Sequence, residues 1–200
     1  MTLESRERKH TARLGSYEAD VDNALQQLAN DDIVARIWQR DHTVWRPDPE
    51  GIVDRLGWLN GPQSMQNALS TIQVLVEDMQ ADGYTHARLL GMGGSSLSPE
   101  VFRETFGVAD GYLDLAVVDS TDPDYVQSQI DGLDLSKTLF IVSSKSGSTV
   151  ETLSFFKYYY NRVAEAVGEE KAGEHFVAIT DPGSKLETLS SQLNFRATFL

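Results

Sequence analysis

The chain has 200 residues, room for one large domain or a domain with an appendage, and its 40% hydrophobic content suits a packed core rather than disorder. With 17 basic against 30 acidic side chains the formal charge is -13, which disfavours nucleic acid and other polyanions as partners and leaves any anionic ligand to local donors. No cysteine is present, so disulfides, thiolate metal sites and thiol redox chemistry are excluded, in keeping with a cytoplasmic setting. No apolar run approaches the roughly 20 residues that span a bilayer, so no membrane segment is expected.

The opening MTLESRERKHTARLG lacks the apolar centre of a secretory signal, and Glu4 and Glu7 argue against a transit peptide, so it reads as a solvated arm. From Tyr17 to Asn30 the spacing of Val21, Leu25 and Leu28 predicts a helix. A second, from Asp31 to about Arg40, would carry Ile33, Ile37 and Trp38 on its inner face. Pro47 and Pro49 then interrupt the chain, with Asp48 placed to cap a segment Pro49 to Leu59. A long amphipathic helix is predicted from Gln63 to Ala81, burying Met65, Leu69, Ile72, Leu75, Val76 and Met79 and stopping at Gly83.

Beyond Gly83, short apolar runs alternate with helical patterns. ARLLGM, YLDLAVVDS, KTLFIVSS, HFVAIT and FRATFL read as strands, separated by helices in SPEVFRETFG, PDYVQSQID, TVETLSFFKYYYNRVAEAV and SKLETLSSQ. This succession predicts an α/β fold: a five-stranded parallel sheet flanked by helices, in flavodoxin-like order, with an α-helical N-terminal extension. The expected division is 1–62 for the extension and 63–200 for the α/β domain. FRATFL reaches Leu200 without a turn, cap or polar tail, so the domain reads as truncated at its fifth strand.

In such a sheet ligands bind beyond the carboxyl ends of the strands, where successive connections leave on opposite faces. The loops after the first and third strands flank that crevice, and they are GMGGSS (Gly91 to Ser96) and SSKSGST (Ser143 to Thr149). The second has the parts of an anion cradle: hydroxyls of Ser144, Ser146, Ser148 and Thr149, the charge of Lys145, a pliable Gly147, and a following helix with free N–H groups. Ser148-x-x-Glu151 also fits a capping box, which would use one hydroxyl and one carboxylate and leave the others for a ligand. The lysine precedes the glycine, so this is not a Walker motif.

The first loop begins like a dinucleotide fingerprint, with Asp119 at the end of the next strand, but Ser96 stands where the last glycine belongs. Asp122-Pro123 and the TDPGS stretch at Thr180 to Ser184 are read first as helix starters and second as walls of the site. His10 and His42 fall in the N-terminal part, and His86 and His175 precede strands, away from the crevice. No histidine and carboxylate cluster has metal-ligand spacing and no nucleophile elbow appears, so neither metal nor cofactor is expected. The aromatic run Phe155, Phe156, Tyr158, Tyr159 and Tyr160 is too wide for one core stripe. Phe155, Phe156 and Tyr159 are expected in the core, and others against the N-terminal helices or a partner.

GMGGSSLSPE resembles the GIGGSxLGP segment of phosphoglucose isomerases, SKSGSTVET resembles their SKTxTTxET segment, and AITDPGS resembles the strand and turn that follow in the same order. RIWQRDHTVWRPDPEGIVDRLGWL is similar to the stretch leading into the isomerase part of bacterial transaldolase/phosphoglucose isomerase fusion proteins. The resemblance implies a first sugar isomerase (SIS) domain and the interconversion of glucose 6-phosphate and fructose 6-phosphate. It implies that Ser144, Lys145, Ser146 and Thr149 hold the substrate phosphate, that Gly147 and Ser148 shape the loop, and that Gly94 and Ser95 approach the sugar phosphate. The family's GGR arginine, base glutamate, ring-opening histidine and late lysine have no counterpart before Leu200. The resemblance therefore assigns no catalytic residue here, and the chain alone is expected to bind sugar phosphate weakly without turnover. A non-catalytic sugar-phosphate-binding module of the same fold is the alternative, and a homodimer of the full-length protein stays open.

Overall fold

A computed structural model describes residues 12–200. Residues up to Leu69 and Ser70–Leu200 form two compact units. The expected arm before residue 12 lies outside the described residues.

In the first unit, helices α1 (Glu18–Asn30) and α2 (Ile33–Trp38) are followed by 3-10 turns at His42–Val44, Val53–Arg55 and Gly57–Asn60. Leu25 and Leu28 of α1 are exposed rather than packed. Ile33 and Ile37 are half-buried, but Trp38 is exposed, because one further residue turns it about 100° away from Ile37 on so short a helix. Asp48 starts no helix: its carboxylate accepts the Glu50 N–H at 3.0 Å, closing a tight turn. Asp41 caps the first 3-10 turn instead. Bonds from Thr43, then Arg36, lower its pKa to about 2.

Helix α3 (Gly61–Ala81) crosses from one unit to the other. Met65 and Leu69 in its first half are exposed, against expectation, whereas Met79 is buried with Tyr84, Ala87, Leu139 and Val177, and Leu75 packs beside them. Its last turns pack on the sheet.

Ser70–Leu200 carries the α/β layers. Strands β1 (His86–Leu90), β2 (Asp114–Val118), β3 (Thr138–Ser143), β4 (Phe176–Ile179) and β5 (Ala197–Phe199) form an all-parallel sheet in the order β2-β1-β3-β4-β5. The connecting helices are α4 (Gly94–Phe106), α5 (Pro123–Ser128), α6 (Val150–Val167), α7 (Glu169–Ala172) and α8 (Lys185–Gln192). The fold class, strand order and helical N-terminal extension agree with the sequence reading.

Both sheet faces are covered, which is why the strands read as continuous apolar runs. Alternate residues separate two layers. Leu90, Val118, Phe140, Val142, Phe176 and Ala178 meet Phe155, Phe156, Tyr159 and Val163 of α6 and Leu186 of α8 on one side. On the other side Ala87, Leu139 and Val177 meet α3. Phe140 stacks on Tyr159 at 5.1 Å and on Phe176 at 5.2 Å, and Phe156 meets Phe176 edge-on at 5.5 Å. Tyr158 and Tyr160 also pack on this core, so the whole aromatic run serves one layer of the domain.

Arg88 is the exception in β1. Its buried guanidinium donates to the carbonyls of Gln129 at 2.7 Å and Ala87 at 2.9 Å. Gln129 follows the last turn of α5, where carbonyls lack helical partners. Burial lowers the Arg88 pKa.

Candidate functional site

Strands β1 and β3 are adjacent, with Leu90 opposite Val142, so the loops from Gly91 and Ser143 start side by side at the carboxyl edge. From there β1 connects towards β2 and β3 towards β4, in opposite directions along the sheet. Right-handed crossovers then put α4 and α6 on opposite faces, which opens a crevice between the two loops.

In the first loop Gly93 has φ 59° and ψ -126°, a conformation that a side chain disfavours, and α4 begins immediately after it without a side-chain cap. The Ser96 hydroxyl is buried and donates to Gly93 O at 3.0 Å, so it pins the turn from inside. Gly94 is exposed and Ser95 half-buried at the helix start.

The second loop leaves β3 at Ser143. Ser144 is buried, Gly147 is buried, Thr149 is half-buried, and Lys145, Ser146 and Ser148 are exposed. The Ser144 and Thr149 hydroxyls lie 3.2 Å apart, and Ser148 Oγ donates to Ser146 Oγ at 3.0 Å. The expected capping box does not form. Thr149, not Ser148, is the N-cap of α6, and no side chain caps the helix. The start falls one residue later than the pattern suggests, which puts Glu151 in the first turn with no Ser148 bond to reciprocate. The first N–H groups of α6, lacking intrahelical acceptors, are thereby left for another partner. In the same turn the Thr152 hydroxyl is buried and makes no hydrogen bond.

The back of this loop is bolted to the β4–α8 turn. Ser144 N–H donates to Ile179 O at 3.1 Å, and Asp181 N–H donates to Lys145 O at 3.2 Å. Gly147 has φ 63°, and a β-carbon there would come within 2.5 Å of Leu186 N at the start of α8. Lys145 Nζ and Asp181 Oδ2, both largely exposed, are 3.9 Å apart. An ion pair so open to water is worth about 0–1 kcal/mol and leaves the lysine able to turn to a ligand.

The two Asp-Pro stretches behave differently. Asp122 caps α5, accepting Tyr125 N–H at 2.9 Å with Pro123 at the first position, as expected. In TDPGS the cap is Ser184, which accepts Glu187 N–H at 3.0 Å, so the helix starts later and Thr180 is released for the neighbouring loop. The sequence reading placed Thr180 in a helix starter and, second, in a wall of the site; the hydrogen bond of its hydroxyl to the neighbouring loop was not foreseen.

Asp119 is exposed beyond β2. His86 and His175 lie at the amino ends of β1 and β4. Among the described residues no group of three or more histidine, aspartate or glutamate side chains could hold a metal ion, and no helix is long and apolar enough to cross a membrane.

Fold and loops together define a doubly wound α/β domain with two glycine- and serine-containing loops at its topological switch point. Residues 61–193, about two thirds of the chain, match the family model described as phosphoglucose isomerase. The chain belongs to the phosphoglucose isomerase family. It is similar to the glucose-6-phosphate isomerase of Citrifermentans bemidjiense, 30% identical over 78% of this chain and 32% of that protein. Glucose-6-phosphate isomerase 3 of Rhodococcus jostii is 39% identical over 46% of this chain and 17% of its own length. The chain thus spans about a third or less of the curated relatives it matches. Among solved structures, a hypothetical protein of Thermus thermophilus superposes with a TM-score of 0.69 at 24% identity, covering 92% of this chain and 42% of that one. A glucose-6-phosphate isomerase from Chlamydia trachomatis gives 0.60 at 24% identity, over 84% and 29%. Both share the fold.

Proposed function

We propose that the chain is the phosphate-binding domain of an aldose-ketose isomerase that interconverts glucose 6-phosphate and fructose 6-phosphate. The observation that carries this reading is the side-by-side start of the two loops at the carboxyl edge of β1 and β3. In this reading Ser144, Lys145, Ser146 and Thr149 hold the phosphate, Gly147 and Ser148 shape the loop, and Gly94 and Ser95 approach the sugar. The uncapped start of α6 adds N–H groups and the positive end of the helix dipole.

Isomerisation needs ring opening with acid and base help, then transfer of a proton from C2 to C1 through an enediol by a positioned carboxylate. A held phosphate contributes by placing those carbons and by supplying binding energy that is used in the transition state. Neither His86 nor His175 reaches this edge of the sheet, which supports the anchoring role for the chain on its own.

Calorimetric titration of the chain with glucose 6-phosphate, fructose 6-phosphate and NAD tests the proposal. Both sugar phosphates should bind and inorganic phosphate should compete; binding of NAD alone would transfer the site to a dinucleotide. A coupled isomerase assay should find no turnover by this chain. A non-catalytic sugar-phosphate module of the same fold draws on the same donors, and isomerase activity of the full-length protein separates the two.

A further inference from the structure

The β4–α8 turn orients the second loop as well as supporting it. Thr180 is buried, and its Oγ1 donates to Ser144 O at 2.7 Å. That spends the only hydroxyl proton, so the 2.8 Å contact with Ser184 runs the other way, from the Ser184 hydroxyl to Thr180 Oγ1. Ser184 Oγ in turn accepts Glu187 N–H at 3.0 Å. Three bonds therefore run head to tail from the start of α8 to the Ser144 carbonyl, an arrangement in which each bond polarises the next.

Beside this chain, Asp181 N–H holds the Lys145 carbonyl at 3.2 Å. In a trans peptide the carbonyl of one residue and the N–H of the next point in opposite directions, and there is no cis peptide among the described residues. Drawing Ser144 O and Lys145 O towards the β4–α8 turn therefore aims the N–H groups of Lys145 and Ser146 away from it. Neither donates to a protein acceptor among the described residues.

We propose that Thr180 is a positioning residue for the anion loop. It holds the Ser144 carbonyl so that the Lys145 N–H faces the phosphate, while Asp181 does the same for the Ser146 N–H. The inference rests on the phosphate reading of the loop, but adds a residue that touches no substrate.

Inorganic phosphate titrated into the full chain, followed by calorimetry and by amide NMR, tests it. Thr180→Val keeps the shape and removes the hydroxyl, and should weaken phosphate binding roughly tenfold, the loss expected when a charge-assisted bond is misaligned. The Lys145 and Ser146 amide resonances should then lose their phosphate-induced shifts. Thr180→Ser should restore affinity to within about twofold, since the hydroxyl donor returns. A purely structural role would lower the melting temperature without separating valine from serine in affinity among folded chains. Should the valine variant not fold, Ser184→Gly removes the hydroxyl feeding Thr180 at small cost, because glycine is tolerated as an N-cap. It should weaken phosphate binding several-fold. Wild-type affinity and amide shifts in folded Thr180→Val or Ser184→Gly would overturn the proposal and leave the phosphate site standing. Absence of phosphate binding by the wild-type chain would overturn the site, and the proposal with it.

Discussion

At Gly147 two demands coincide: a φ of 63° and a space closed by the backbone of Leu186. Alanine there must both adopt a left-handed conformation and displace the start of α8. Gly147→Ala is expected to cost about 2 kcal/mol or more of stability and to lower phosphate affinity at least tenfold, read by urea denaturation and calorimetry. The residue types of the proposed cradle could be picked out in the sequence because they follow an apolar run and precede a helix. The hydrogen bonds among them were not. Ser148-x-x-Glu151 matched a capping box, yet helix α6 starts one residue later and Ser148 bonds Ser146 instead.

His175 poses a different question at the opposite edge of the sheet. It is buried, its Nδ1 lies 3.0 Å from the Tyr84 hydroxyl, and burial holds its pKa below the ordinary value. The unfolded chain therefore takes up a proton first, at about pH 6.5. Stability from the neutral imidazole is complete above that pH and falls as the solution is acidified through it, by at most about 1.4 kcal/mol per pH unit. Chemical denaturation between pH 7.5 and 5.5 should show this decline, and His175→Gln should flatten it.

The helices show where periodicity stops being informative. In α4 the half-buried or buried side chains are Ser95, Ser96, Pro99, Glu100 and Arg103, while Leu97, Val101, Phe102 and Phe106 are exposed. Spacing tells which residues share a face but not which face meets the sheet. Here the polar face turns inward, with Arg103 bound to Glu100 at 2.8 Å. In α6 the ordinary arrangement holds, with Phe155, Phe156 and Tyr159 inside. The two helices should respond oppositely to truncation. Phe156→Ala is expected to cost about 3–5 kcal/mol, whereas Phe102→Ser should change stability by no more than about 0.5 kcal/mol. Thermal melts of the two variants provide the comparison. Arg88 makes the same point in a strand: ARLLGM reads as an apolar run, and only the Gln129 carbonyl after α5, with strand carbonyls such as that of Ala87, explains a buried guanidinium within it.

Across the whole molecule, a charge of -13 opposes an anionic ligand while the proposed cradle offers neutral donors and one lysine. Salt weakens the attraction of Lys145 and also screens the surrounding repulsion, so the two effects partly cancel. Raising KCl from about 50 to 300 mM should therefore change the dissociation constant for glucose 6-phosphate by less than about threefold. A rise of an order of magnitude in that constant would point to a cluster of cations that the proposed site does not contain.

Alternating apolar runs and helical patterns determine the α/β class, the five parallel strands and the two loops beside the switch point, because these follow from local periodicity and from the handedness of crossovers. They also place the family motifs at the right end of the sheet. Which helix face turns inward, where a cap falls and which hydroxyl braces which carbonyl depend on groups distant in sequence meeting at 3 Å separations. Thr180 and Ser144 are one such pair, 36 positions apart. Only the packed sheet brings β3 and β4 side by side and so turns a threonine in one loop into a brace for the other.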